Sequence, residues 1–163
     1  MEFIELKNVF KVYTNGVSAL ADVSLSISKG EFVFVIGESG SGKSTLTKLL
    51  YREEKPNRGS VYVGGINVAK LRNSNVYKLR RKIGVVFQNN TLDDYLTVKE
   101  NLLMRGFLYE KDLKTVQKNL YEVVEILNIQ NLLSRPFRKL SGGQKRRCEI
   151  ARALMNTPEI LFL

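Results

Sequence analysis

The sequence predicts an α/β fold with a mostly parallel core sheet, a small N-terminal antiparallel sheet and a helical insertion. Three observations carry that reading. Val23, Leu25 and Ile27 alternate with Ser24, Ser26 and Ser28, the period-two pattern of a half-buried strand. Phe32-Val33-Phe34-Val35-Ile36 is apolar without alternation, which suits a strand buried on both faces. Glycine-rich residues follow that run at once and lead into helix-forming Leu46, Lys48, Leu49 and Leu50, so strand, loop and helix come in succession.

The remaining elements follow in order. Residues 3–9 form a weaker strand candidate beside residues 23–28, and Lys29-Gly30-Glu31 turns the chain into the apolar run. A helix is expected over residues 44–51. Ser60-Val61-Tyr62-Val63 before Gly64-Gly65 reads as a strand entering a hairpin, and residues 83–87 as a second buried strand. Thr97-Val98-Lys99-Glu100 has the capping-box pattern, so a helix starts there. Leu113, Val116, Leu120, Val123, Val124 and Leu127 share one helical face, a stripe suited to packing. Arg135-Pro136 breaks the chain before a helix over about residues 143–155. Thr157-Pro158 ends that helix, and residues 159–163 begin a third buried strand. The whole of residues 1–163 reads as one domain, with residues 89–140 as a helical subdomain inside it.

Composition narrows the class. The 163 residues are 44% hydrophobic and 26% charged, ordinary for a globular domain, and no run of about 18 apolar residues is long enough to span a membrane. The acidic start is unlike a secretory signal. The lone cysteine, Cys148, excludes an internal disulfide and points to a reducing, cytoplasmic setting. The net charge is +10; residues 1–88 hold 14 basic and 7 acidic side chains, the rest 12 and 9. That excess fits a nucleic-acid partner, an anionic membrane surface or a solvated basic face, and charge alone does not choose.

Gly37-Glu38-Ser39-Gly40-Ser41-Gly42-Lys43-Ser44 matches G-x-x-x-x-G-K-[ST] without a gap. Its glycines let successive backbone N–H groups turn inward, and a helix N-terminus behind them favours an anion. In such a loop Lys43 reaches the β- and γ-phosphates, Ser44 ligates Mg²⁺, and Thr45 extends the hydroxyl supply toward the α-phosphate. This is a nucleotide site, with ATP and Mg²⁺ as the expected ligands.

Leu140-Ser141-Gly142-Gly143-Gln144 opens a second helix. Its serine hydroxyl, glycine N–H groups and helix N-terminus make another anion site. Joined to the phosphate loop about a hundred residues earlier, this string resembles the LSGGQ signature of the ABC ATPases. The resemblance implies a P-loop ABC ATPase domain that pairs with a second copy, two ATP molecules being sandwiched head to tail and the signature serving the γ-phosphate held by the other subunit. It further implies that Gln88 is the Q-loop glutamine that meets Mg²⁺, and that Tyr13 lies where the family sets an aromatic ring against adenine. An integral membrane subunit is the implied partner, with the chain peripheral on the inner face of the membrane and no direct nucleic-acid contact.

Within the family, residues 1–88 resemble the cell-division ATPases of the FtsE group, on Leu50-Tyr51-Arg52-Glu53-Glu54-Lys55-Pro56 and on the stretch from Tyr77 to Gln88. Residues 89–163 look more like daunorubicin-type drug-export ATPases, on Thr91-Leu92-Asp93-Asp94-Tyr95-Leu96-Thr97 and Glu149-Ile150-Ala151-Arg152-Ala153-Leu154. The membrane partner is accordingly FtsX-like or a drug-export permease. In the family, Ile160 to Leu163 would lead into the Walker B aspartate and catalytic glutamate, and the switch histidine comes later. The resemblance therefore implies that the C-terminal part of the domain is missing, and that these 163 residues bind ATP without turning it over.

Overall fold

The structure is a computed structural model and describes residues 2–163. The chain divides into two compact units, Met1–Arg80 and Arg81–Leu163.

The first unit is built on a four-stranded antiparallel sheet. Its strands are β1 (Glu2–Val12), β2 (Ser18–Ser28), β3 (Arg58–Val63) and β4 (Ile66–Asn67), in the order β2-β1-β3-β4. Both expected N-terminal strands form, each longer than the sequence pattern showed. A bulge explains the shortfall in β1. Ile4 and Leu6 point into the core, but the register slips between Leu6 and Val9, and burial resumes on the other parity at Val9. Asn8 sits at the bulge with φ 47; its N–H donates to Ser24 Oγ at 2.9 Å and its Nδ2 to Asp22 Oδ1 at 2.9 Å. Gly59 lets β3 pass it, because a Cβ there would lie 2.2 Å from Asn8 O. Helix α1 (Lys43–Leu50) follows the phosphate loop and buries Leu46, Leu49 and Leu50. The short helix α2 (Val76–Arg80) adds Leu79.

One expectation is overturned here. Residues 32–36 join no ladder among the described residues, and each is exposed, Phe32 by 76%, Phe34 by 79% and Ile36 by 88%. Continuous apolarity reports a preference for burial on both faces, but a strand also needs hydrogen-bonding neighbours. Among the described residues the strands of this unit pair only with one another.

The second unit contains the parallel pair, β5 (Ile83–Val85) and β6 (Ile160–Phe162), in register Ile83↔Ile160 and Val85↔Phe162. The ladder runs one bond further, from Val86 N–H to Phe162 O at 2.8 Å, and stops short of the expected residue 87. Three helices surround one apolar cluster: α3 (Val98–Phe107), α4 (Leu113–Leu127) and α5 (Gly142–Leu154). Val98, Leu102, Val116, Leu120, Phe137, Cys148 and Met155 are among its members. The capping box at Thr97 is present in full, Glu100 N–H donating to Thr97 Oγ1 at 3.2 Å and Thr97 N–H to Glu100 Oε2 at 2.7 Å. Asp112 caps α4 through Thr115 N–H, and Asn128 closes it in the left-handed conformation. No helix among the described residues is long and apolar enough to cross a membrane.

Candidate functional site

In the first unit the phosphate loop is exposed and ends where α1 begins. Gly42 is the N-cap, at φ 91, so no side chain closes the helix start. The leading amides of an α-helix lack intrahelical acceptors, and here they remain available to a ligand. Gly42 is buried against β2: a Cβ on it would lie 2.3 Å from Ala19 O. The loop closes with Ser41 N–H donating to Glu38 O at 3.2 Å, and Ser39 and Gly40 form its exposed tip. Lys43 folds back over the loop, its ammonium donating to Gly37 O at 2.8 Å, Glu38 O at 2.5 Å and Ser41 Oγ at 3.4 Å. A cation thus stands at the mouth of an uncapped helix, the donor set a polyphosphate requires.

Thr45 is buried and Ser44 exposed on the first turn of α1. Thr45 Oγ1 shares a hydrogen bond with Tyr13 Oη at 3.1 Å, which puts Tyr13 beside the phosphate-loop helix. Tyr13 lies just past β1 and half-buried, with the Lys11 ammonium 5.0 Å from its ring centroid. Lys11 is itself held by Glu54 at 2.6 Å and by Lys55 O at 3.0 Å. No sequence pattern pointed to Lys11, because its partners are 43 and 44 residues away.

In the second unit, Ser141 is the N-cap of α5. Its Oγ accepts from Gln144 N–H at 3.4 Å, while Gln144 Oε1 accepts from Ser141 N–H at 3.0 Å, a second capping box. Leu140 is buried and anchors the motif in the helical core. Gly142 and Gly143 are exposed with open space where a Cβ would project. Gln88 lies two residues past the end of the β5 ladder and is exposed. It lines a shallow cavity of about 430 Å³ with Val86, Arg146 and Leu163.

The sequence reading missed Glu149. It is 1% exposed, and its carboxylate accepts from Thr91 N–H, Thr91 Oγ1, Leu92 N–H and Arg152 Nε. Burial pushes the carboxyl up, but the hydrogen bonds from Thr91, Leu92 and Arg152 outweigh it and hold it below the usual carboxylate range. The available signal was a Glu on the buried face of α5 next to Cys148; spacing alone does not reveal its partners. Among the described residues no group of three His, Cys, Asp or Glu could hold a metal ion.

A glycine loop feeding an uncapped helix, with a lysine folded across it, defines a P-loop nucleotide-binding protein, and the LSGGQ string narrows the class to ABC ATPases. The chain belongs to the ABC transporter family, whose model matches residues 20–163, as an ATP-binding subunit that is FtsE-like in sequence. It is 39% identical over 159 residues to the cell division ATP-binding protein FtsE of Bacillus subtilis and 38% identical over 162 residues to that of Streptococcus pneumoniae. The FtsE match covers 98% of the chain in the first case, so it runs through both halves of the sequence. The methionine import ATP-binding protein MetN of Helicobacter pylori is 39% identical over 159 residues. The chain spans 70% of each FtsE, 49% of MetN and 64% of cbiO1 from Clostridium perfringens, part of the ABC transporter complex cbiONQ. The TM-score to cbiO1 is 0.91 at 26% identity, over 98% of this chain. The ATP-binding cassette MJ0796, in a dimeric post-hydrolysis state bound to ADP and Pi, gives 0.83 at 37% identity, over 97% of this chain and 72% of its own.

Proposed function

We propose that the chain binds ATP with Mg²⁺ and acts as the motor subunit of an FtsE-like ABC complex, pairing with a second copy and driving an FtsX-like membrane subunit from the cytoplasmic face of the membrane. The observation that carries this reading is the uncapped N-terminus of α1 with Lys43 folded over its loop. Gly37 to Gly42 cradle the phosphates with backbone N–H groups, Lys43 supplies the side-chain cation, and Tyr13 faces the base. Ser44 attends the metal, which when bound would neutralise charge on the β- and γ-phosphates, and Gln88 is read by resemblance as the Q-loop glutamine. Leu140 to Gln144 serve the nucleotide of the second copy. Residues 89–140 form the helical subdomain that meets the membrane subunit.

The test is nucleotide-driven pairing. Gly143→Asp fits open space and adds an acid to a helix N-terminus, where it is favourable, so the monomer keeps its fold. In the pair, that carboxylate faces a γ-phosphate. With magnesium and a non-hydrolysable ATP analogue, the full chain is expected to double its mass by light scattering. Gly143→Asp stays monomeric while binding the analogue as tightly as the parent. Binding without pairing in the parent, or equal pairing by both, overturns the reading.

A further inference from the structure

Gln88 sits on an exposed tip with Asn89 and Asn90, yet the chain on both sides of it is gripped by a single helix. Arg146, Glu149 and Arg152 are three residues apart on α5 and share one face. On the near side, Arg152 Nη2 donates to Val85 O at 2.6 Å and Arg146 Nη1 to Phe87 O at 2.9 Å, and the Arg152 guanidinium lies 5.8 Å from the Phe87 ring centroid. On the far side, Glu149 Oε1 takes the N–H groups of Thr91 and Leu92, and Oε2 takes the Thr91 hydroxyl at 2.8 Å. Arg152 Nε closes the set on Glu149 Oε2 at 2.9 Å. The next residue along the loop is tied to α3, where buried Asn101 accepts from Asp93 N–H at 2.8 Å and donates to Asp93 O at 3.0 Å.

We propose that Glu149, with Arg146 and Arg152, is a positioning device that locks the Gln88 loop to the signature helix, so that Gln88 and Ser141 move as one body. An apolar pair of similar volume would pack α5 at least as well, since burying charges costs solvation energy. What the charges add is direction: apart from the Arg152–Glu149 pair itself, these hydrogen bonds run to the backbone or hydroxyl of residues 85–92. Gln88 is thereby held from both flanks without a contact to its own side chain. The inference rests on the reading of Gln88 and Ser141 as nucleotide-facing residues.

Two variants of the full chain test it. Glu149→Gln keeps shape and one acceptor but sets an amide against Arg152; Thr91→Val deletes only the hydroxyl bond. Hydrogen exchange of residues 86–92 is followed together with affinity for a fluorescent ATP analogue, in magnesium and in EDTA. For Glu149→Gln, exchange at Thr91 and Leu92 is expected to speed up and affinity in magnesium to fall, each by about tenfold, the effect of losing one charge-assisted hydrogen bond. Affinity in EDTA stays at the parent value, because the phosphate loop is untouched. Thr91→Val gives the same pattern, smaller, and stands in if Glu149→Gln fails to fold. Unchanged exchange at residues 91–92, or an equal fall in both affinities, overturns the proposal in favour of plain packing. Should the parent bind no nucleotide, the functional reading fails, while the exchange arm still decides whether the clamp exists.

Discussion

Replacing Gly42 with alanine isolates the geometry on which the phosphate loop depends. Gly42 sits at φ 91, and left-handed backbone costs an L-residue about 1–2 kcal/mol. The added Cβ would also lie 2.3 Å from Ala19 O and 2.9 Å from Leu20 Cδ2. The leucine end can swing aside, but Ala19 O belongs to β2, so the start of α1 must shift away from the sheet. Overpacking of that kind costs about 1–3 kcal/mol, which brings the total to about 2–5 kcal/mol. Gly40→Ala is the control: its φ is 84, yet nothing lies within 4 Å of its Cβ position, so it carries the conformational cost alone. Urea denaturation followed by circular dichroism is expected to rank the two, Gly42→Ala losing clearly more stability. Titration with a fluorescent ATP analogue should show the larger loss of affinity for Gly42→Ala as well. Equal midpoint shifts for the two variants would refute the close approach of α1 to β2.

Tyr13→Phe should keep ATP-analogue affinity because the ring remains, whereas Tyr13→Leu should weaken it by about 1–3 kcal/mol, the worth of one base–aromatic stack; equal losses by titration would favour the Thr45 hydrogen bond instead. Hydrogen bonds from the Thr97 hydroxyl and N–H hold the Glu100 carboxyl below its ordinary value of 4.5. A depressed folded value means that the contribution is present above 4.5 and lost as pH falls through the folded value, so the melting-temperature gap between parent and Glu100→Ala should close on acidification. A gap that persists at pH 2 would contradict the capping box. Cys148 is buried, and desolvation pushes its thiol up to about 11, so alkylation by iodoacetamide at neutral pH should occur only on unfolding. Rapid labelling of the folded chain would show that α5 opens.

What the sequence revealed was local, and what it concealed was long-range. The glycine loop before α1, the Thr97 capping box and the α4 stripe are set by short local spacings, and the structure places each at the expected element; that Ser141 and Gln144 form a second capping box emerged only from the structure. The bulge at Asn8 broke the alternation of β1 and made a strand of eleven residues read as seven. The run at residues 32–36 misled for a different reason: apolarity states what a segment prefers, and its ladder partners are chosen elsewhere in the chain. Lys11, Glu149 and Arg152 escaped notice because each is defined by partners between 43 and 67 residues away, apart from the Glu149–Arg152 contact itself. A charged residue on a mostly buried helical face was the one trace that Glu149 left.

The central claim is that the loop before α1 binds ATP through Lys43, and calorimetric titration of magnesium-ATP into the parent and into Lys43→Ala tests it most directly. Lys43 is the side-chain cation held over the loop, by Gly37 O, Glu38 O and Ser41 Oγ. A charge-assisted contact is worth about 1.5–3 kcal/mol, so its loss should weaken binding by at least about tenfold. Circular dichroism of the two proteins should match, since Lys43 makes no core contact. Saturable binding by the parent that falls by that factor in Lys43→Ala is the predicted result; equal affinity of the two, or no binding by a folded parent, would contradict the account.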